Sequence, residues 1–183
     1  MEDLSLHILD LVQNSIAAMA SLVEIYIVED IENNWLTVKI IDNGKGMDKQ
    51  VIDRVIDPFY TTRTTRKVGL GLPLFKAAAE GCGGDLNITS EPGVGTCIEA
   101  SFILNHIDRP PFGNLAETLI TIIICNPSLD IVYCHKTDYG SFTLDTRVIR
   151  DKIAGIPIDN PDIIDWIKSY IVEGLNEING GVE

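Results

Sequence analysis

An apolar run from Trp35 to Ile41 stops at Asp42-Asn43-Gly44-Lys45-Gly46-Met47. The run is rich in β-branched and aromatic side chains and reads as a strand. A carboxylate at the strand end, followed by two glycines one residue apart, makes a turn that lets the backbone approach a ligand closely. Gly44 and Gly46 can reach positive φ without a Cβ penalty. Asp42 can accept a hydrogen bond from an exocyclic amine such as that of adenine. Acidic glycine turns are common, so the rest of a nucleotide site has to come from other stretches.

Phosphate needs positive charge and free N–H groups. The chain is acidic, with a formal net charge of −13, which argues against a nucleic-acid or anionic-membrane surface. Yet seven of its fourteen lysines and arginines fall between Lys45 and Lys76: Lys45, Lys49, Arg54, Arg63, Arg66, Lys67 and Lys76. They are either solvated surface residues or parts of one phosphate-sized positive site. Residues 57–68 show no apolar periodicity and read as a basic, hydroxyl-rich loop. Gly69-Leu70-Gly71-Leu72 then opens a helix running to about Glu80, with Pro73 tolerable only in its first turn. A glycine-rich loop at a helix N-terminus offers unpaired N–H groups and a favourable dipole to phosphate.

The opening stretch, residues 3–20, predicts a helix. Leu4, Ile8, Leu11, Val12, Ile16 and Met19 recur at steps of three and four and form one apolar face. His7, Asp10 and Asn14 share a different face, which is either solvated or lines a site. Residues 22–28 and 35–41 predict a hairpin, and Asp48 predicts the cap of a short helix over 49–56. Two more strands are expected over 85–90 and 96–104, joined by Glu91-Pro92-Gly93-Val94-Gly95.

Asp108-Arg109-Pro110-Pro111 marks a boundary between an expected domain over 1–107 and a small α/β unit over 112–183 of unassigned role, expected to pack on the first domain, dock a partner or make a dimer. In the second unit, Thr118–Cys125 reads as a buried strand, Ile131–His135 and Ser141–Leu144 as a strand pair, and Thr146–Ala154 as a short helix. Asn160-Pro161 opens a helix to Ile178 with Ile163, Ile164, Ile167, Tyr170, Ile171 and Leu175 on its apolar side.

With 183 residues and 45% hydrophobic content the chain is expected to be globular. No apolar run approaches ~18 residues, so no membrane span is expected, and no secretory signal precedes the first helix. The four cysteines, at 82, 97, 125 and 134, form no CxxC pair. Neither zinc nor a redox dithiol is suggested, and reduced thiols in the cytoplasm are the simplest reading. Cys125, Cys134 and His135 do not have a recognisable ligand spacing.

Five stretches lie in series: residues 7–18 (His-Ile-Leu-Asp-Leu-Val-Gln-Asn-Ser-Ile-Ala-Ala), 42–47 (Asp-Asn-Gly-Lys-Gly-Met), 57–63 (Asp-Pro-Phe-Tyr-Thr-Thr-Arg), 69–72 (Gly-Leu-Gly-Leu) and 93–96 (Gly-Val-Gly-Thr). In order and spacing they resemble the N, G1, F, G2 and G3 boxes of the histidine-kinase-like ATPase superfamily. That superfamily holds DNA gyrase, histidine kinases, MutL and an ATP-dependent chaperone class. The resemblance covers about residues 1–104. It implies an α/β (α+β) two-layer sandwich, a mixed sheet with helices on one face, and ATP held between helices and a lid.

The resemblance also assigns roles. Asn14 looks like the Mg²⁺ ligand, a hard amide oxygen for a cation that needs few protein donors. Asp42 looks like the adenine reader, with Gly44, Gly46 and Met47 passing beside the base and Thr96 supporting it through its hydroxyl. Gly69, Leu70, Gly71 and Leu72 would offer backbone N–H groups to phosphate. Thr62, Arg63, Arg66 and Lys67 belong to the lid. Asp10 stands where MutL and gyrase carry a water-activating glutamate and many histidine kinases carry asparagine. It is either an orderer of Mg²⁺-bound water or a plain surface residue, and His7 is expected at the surface.

The resemblance implies Mg²⁺–ATP binding and three candidate functions. The first is a soluble kinase that phosphorylates a partner protein in trans. No dimerising hairpin with a phosphoacceptor histidine is seen before the first box, and the run 57–63 is more similar to histidine kinases than to MutL. The second is an ATP-driven conformational switch, and the third a non-catalytic nucleotide sensor. A homodimer is compatible with all three. Neither GxxxxGK[ST] nor a His-Arg-Asp kinase signature is present.

Overall fold

The structure is a computed structural model and describes residues 3–55 and 71–179. It opens with α1 (Leu4–Ala17), whose first turn is capped by Asp3: the Leu6 N–H donates to its carboxylate at 3.0 Å. A tight hairpin follows, β1 (Leu22–Asp30) and β2 (Trp35–Asp42), paired antiparallel. Its turn is held by Asp30, which accepts from the N–H and side-chain amide of Asn33. Short α2 (Lys49–Val55) is capped by Asp48 as its sequence predicts. Then come α3 (Gly71–Gly81), β3 (Leu86–Glu91) and β4 (Gly95–Ile103).

The second part of the chain contributes α4 (Leu115–Cys125), β5 (Asp130–Thr137), β6 (Gly140–Asp145), α5 (Thr146–Lys152) and α6 (Pro161–Ile178). The strands form one six-stranded sheet in the order β3-β4-β2-β1-β5-β6. Only β5 runs parallel to its neighbour, β1, so the sheet is mixed. Val23, Ile25, Ile27, Leu36, Val38, Ile40, Ala100 and Phe102 alternate onto the buried face. On that face α1, α3 and α6 lie against strands, and α4 packs between α1 and α6. The intervening residues face outward, where Lys39 and Glu99 pair at 3.1 Å. The two-layer α/β sandwich expected from the motif resemblance is what the chain forms.

Residues after the double proline, expected as a separate small unit, extend the same sheet instead. The Pro110-Pro111 segment is tied down: the N–H groups of Leu4 and Ser5 donate to the carbonyls of Pro111 and Phe112 at 2.8 and 3.0 Å. Arg109 donates to the carbonyls of Leu104 and Pro110 and lies over the Phe112 ring. A buried clasp joins β1 to β5. His135 bonds Glu29 through Nε2 at 2.7 Å and the Tyr133 hydroxyl through Nδ1 at 2.9 Å. Burial, reinforced by the Glu29 carboxylate, holds the Tyr133 phenol well above its ordinary range.

Thr118–Cys125, expected as a strand, is helical within α4. Its β-branched residues carry a strand preference of only a fraction of a kcal/mol each, and burial outweighs it. Leu119, Ile122 and Ile123 are almost fully enclosed. The helix start is also written locally: Asn114 accepts the Glu117 N–H at 3.0 Å, and Asn-x-x-Glu ahead of an apolar run resembles a capping box. Since Ile122 is fully buried, Ile122→Ala should cost about 2–5 kcal/mol, read as a lowered urea midpoint at unchanged slope. A cost below 1 kcal/mol would mean α4 is not core.

Candidate functional site

The end of β2, the end of α1 and the β3–β4 hairpin meet at one place. The turn after β2 lies on α1: the Lys45 N–H donates to the Ala18 carbonyl at 2.9 Å, and a Cβ on Gly44 would stand 2.9 Å from the Ala18 side chain. On its other side the turn meets the hairpin. Gly46 has φ +65°, and a Cβ there would fall into the Glu91 carbonyl. The Gly93 N–H donates to the Lys45 carbonyl and the Met47 N–H to Ser90 Oγ, both at 2.8 Å. Both glycines are therefore required by close approach, as the turn sequence implies.

Asp42 stands directly across from Thr96 in the β2–β4 register. Its carboxylate is held at both oxygens: Oδ1 accepts the Gly44 N–H at 2.9 Å and Oδ2 accepts the Ser15 hydroxyl at 2.8 Å. Thr96 is 8% exposed, and its hydroxyl lies 2.9 Å from Ser90 Oγ, which donates to the Gly95 carbonyl. Ser15 and Ser90 are the polar partners that the sequence does not announce. Each meets its target only through the fold, Ser15 from 27 residues away.

Asp10 and Asn14 are exposed on α1, one turn apart. Asp10 sits against the first residue of α3, where a Cβ on Gly71 would stand 2.8 Å from its Oδ2. A carboxylate is thus placed beside a helix N-terminus. Leu72 is buried, so only its backbone is available to a ligand. Met47 is half-buried and packs on the core. Thr62, Arg63, Arg66, Lys67, Gly69 and Leu70 lie outside the described residues.

His7 departs from expectation. It is 2% exposed, packs on Phe75 of α3 with ring centroids 5.1 Å apart, and its Nδ1 has no partner among the described residues. Its i, i+3, i+7 spacing with Asp10 and Asn14 is right, but α3 covers that end of the face. Met19, counted on the apolar face, lies beyond the helix and is exposed. Burial pushes the His7 imidazole below its ordinary pKa, more than the nearby Asp10 and Asp3 charges raise it. The folded state therefore binds its proton later than the unfolded chain. Stability is unaffected by His7 above pH about 6.5 and falls as pH drops below it. Unfolding curves of the parent and His7→Leu should diverge over that interval, the parent losing more; parallel curves would refute the assignment.

A cavity of about 490 Å³ lies at the ends of β1, β2, β3 and β4, lined by Leu22, Glu24, Ile41, Asp42, Ser90, Thr96 and Cys97 among others. Its wall includes Asp42 and Thr96, the facing pair of the β2–β4 register. No group of three or more His, Cys, Asp or Glu among the described residues is arranged to hold a metal ion.

Residues 2–106 match the profile of the family described as histidine kinase-, DNA gyrase B-, and HSP90-like ATPase. The chain belongs to this family. The match ends just before the double proline, and within it lie α1, the Asp42 turn and Thr96. Over 110 residues, 60% of this chain, the sequence is 37% identical to the sensor protein kinase FleS of Pseudomonas aeruginosa. Over 103 residues, 55% of this chain, it is 33% identical to a putative sensor protein of Shewanella frigidimarina. The matched parts span 27% and 16% of those proteins. Among solved structures the fold is similar to the N-terminal domain of a DNA repair protein, with a TM-score of 0.53 at 18% identity, covering 79% of this chain and 52% of that one. At that identity the likeness is one of fold. No helix among the described residues is long and apolar enough to cross a membrane.

Proposed function

We propose that this histidine-kinase-like ATPase domain binds Mg²⁺–ATP between α1, the Asp42 turn and the start of α3, and passes the γ-phosphoryl group to a histidine or serine of a partner protein. The carrying observation is the braced Asp42 carboxylate opposite Thr96. With Ser15 and Gly44 fixing its two oxygens, the carboxylate presents a rigid acceptor to an exocyclic amine, as adenine recognition requires. Asn14 and Asp10 supply hard oxygen donors on one exposed helix face and fit Mg²⁺, which keeps most of its waters and supplies charge neutralisation between the phosphates. The N-terminus of α3 favours the anion. Thr62, Arg63 and Lys67, with Gly69 and Leu70, precede α3 in the chain and would add donors and positive charge. The chain's own contribution to transfer is positioning. A cytoplasmic setting is supported by four free cysteines.

Asp10 favours a second reading. A carboxylate at the α3 start is placed to order water near a phosphate, which suits an ATPase switch. Incubation of the full chain with γ-labelled ATP separates the readings. Label on a candidate partner protein supports transfer, free phosphate without a partner supports the switch, and neither despite tight binding supports a sensor. Asn14→Ala should remove the Mg²⁺-dependent part of ATP affinity and leave the melting temperature within about 2 °C, because an exposed helical amide is replaced by a better helix former. Unchanged Mg²⁺-dependence in calorimetry would remove Asn14 from the site.

A further inference from the structure

α6 carries two unlike stripes. Ile164, Ile167, Ile171, Gly174 and Ile178 are buried. Gly174 lies so close to β6 that a Cβ there would fall into the Phe142 ring. On the outward side, Asp162, Trp166, Tyr170, Glu173 and Glu177 recur at steps of three and four and are all exposed, so they form one continuous line along the helix. Trp166 is 51% and Tyr170 39% exposed, and their rings stack 5.4 Å apart at an interplanar angle of 4°. Sequence periodicity puts Tyr170 on the apolar side; the structure puts it at that side's edge.

The aromatic pair is anchored. The Tyr170 hydroxyl donates to the Thr143 carbonyl of β6 at 3.2 Å, and its ring packs on Phe142, which in turn meets Tyr133 in the core. The platform is therefore preorganised, so a ligand would not bear the cost of ordering it. Carboxylates stand at both ends of the line and no cation lies on it. Lys168, the one lysine or arginine of α6, is on another side of the helix and is held by Glu117 of α4.

We propose that this line is a docking surface for a lysine- or arginine-bearing segment of a partner protein. Cationic groups would lie over the Trp166–Tyr170 faces and pair at the ends with Asp162 on one side and Glu173 and Glu177 on the other. Exposed, rigid Trp and Tyr are the side chains that dominate protein interfaces. The ring faces attract guanidinium and ammonium groups, and flanking carboxylates add to that attraction. A second copy of this chain is disfavoured, because it would bring the same carboxylates and another net −13. Nucleic acid is disfavoured by the same charge. The surface belongs to the part of the chain beyond the family match, so it gives the ATPase domain a recognition element of its own. The inference does not depend on nucleotide turnover.

The test uses the full chain carrying Trp35→Phe, so that Trp166 is its remaining tryptophan. The probe is a synthetic helical peptide with arginine at every fourth position, and the control has glutamate at those positions. Titration with the arginine peptide should change Trp166 emission saturably and weaken with salt, and the glutamate peptide should do neither. Trp166→Ala, followed by calorimetry, should weaken the arginine peptide by at least about tenfold. The triple variant Asp162→Asn, Glu173→Gln, Glu177→Gln should weaken it similarly with the aromatics in place, which keeps the test sharp if Trp166→Ala disturbs folding. Equal affinity for parent and both variants overturns the proposal, as does absence of binding. Concentration-dependent self-association that Trp166→Ala abolishes overturns it in favour of a second copy. ATP affinity, measured on the same samples, reports separately on the nucleotide site.

Discussion

Asp42→Asn should weaken ATP binding roughly thirtyfold to 150-fold, while GTP, which lacks the 6-amino group, changes little. In the folded chain Oδ1 takes the Gly44 N–H and Oδ2 takes the Ser15 hydroxyl. An asparagine can satisfy only one arrangement: its carbonyl must face the Gly44 N–H, and its NH₂ must face Ser15 Oγ, which can accept. The amide then shows a donor toward the side where adenine would donate. A charge-assisted hydrogen bond is lost and two donors oppose each other. The loss is about 2–3 kcal/mol, the origin of the stated fold-change. Because both local bonds survive in altered form, the melting temperature should shift by no more than a few degrees. Calorimetry with ATP and GTP on parent and variant decides it: equal losses for both nucleotides would mean that Asp42 is structural.

The parts of this site visible in the sequence are those whose physics is local. A strand ending in an acidic glycine turn can be read from residues 35–47 because the apolar run and the glycines that stop it are adjacent in the chain. The start of α3 is readable from Pro73, and α6 from Asn160 and Pro161, because caps act over a single turn. Ser15, by contrast, looks like any small residue in a helix until the sheet brings Asp42 to it. His7 has the spacing of a polar-face residue, and only the packing of α3 through Phe75 reveals its burial. α4 fails as a sequence prediction for a related reason. Its isoleucines and threonines fit a buried strand and a buried helix equally, and contacts with α1 and α6 select between them. The double proline reads as a break between units, whereas in the fold it is a strap on the N-terminus of α1, with β5 resuming the sheet beyond it.

Gly95→Ala should destabilise the fold by at least about 3 kcal/mol, against about 1 kcal/mol for Gly93→Ala two residues away. Both glycines have positive φ, +140° at Gly95 and +79° at Gly93, so alanine strains the backbone at either position. The difference is space. No described residue lies within 4 Å of a Cβ on Gly93, whereas a Cβ on Gly95 would occupy the place of the Asp42 carbonyl oxygen. That oxygen belongs to the sheet and cannot swing aside as a side-chain tip can. The β2–β4 ladder must open at the pair Asp42–Thr96, the pair on which the adenine reading rests. Chemical denaturation of the two variants therefore tests the geometry and the proposed site together. A folded Gly95→Ala with a large stability loss and weakened ATP binding would tie adenine recognition to this strand pair. Equal losses for the two variants would show that the close approach of β4 to β2 is not what makes residue 95 glycine.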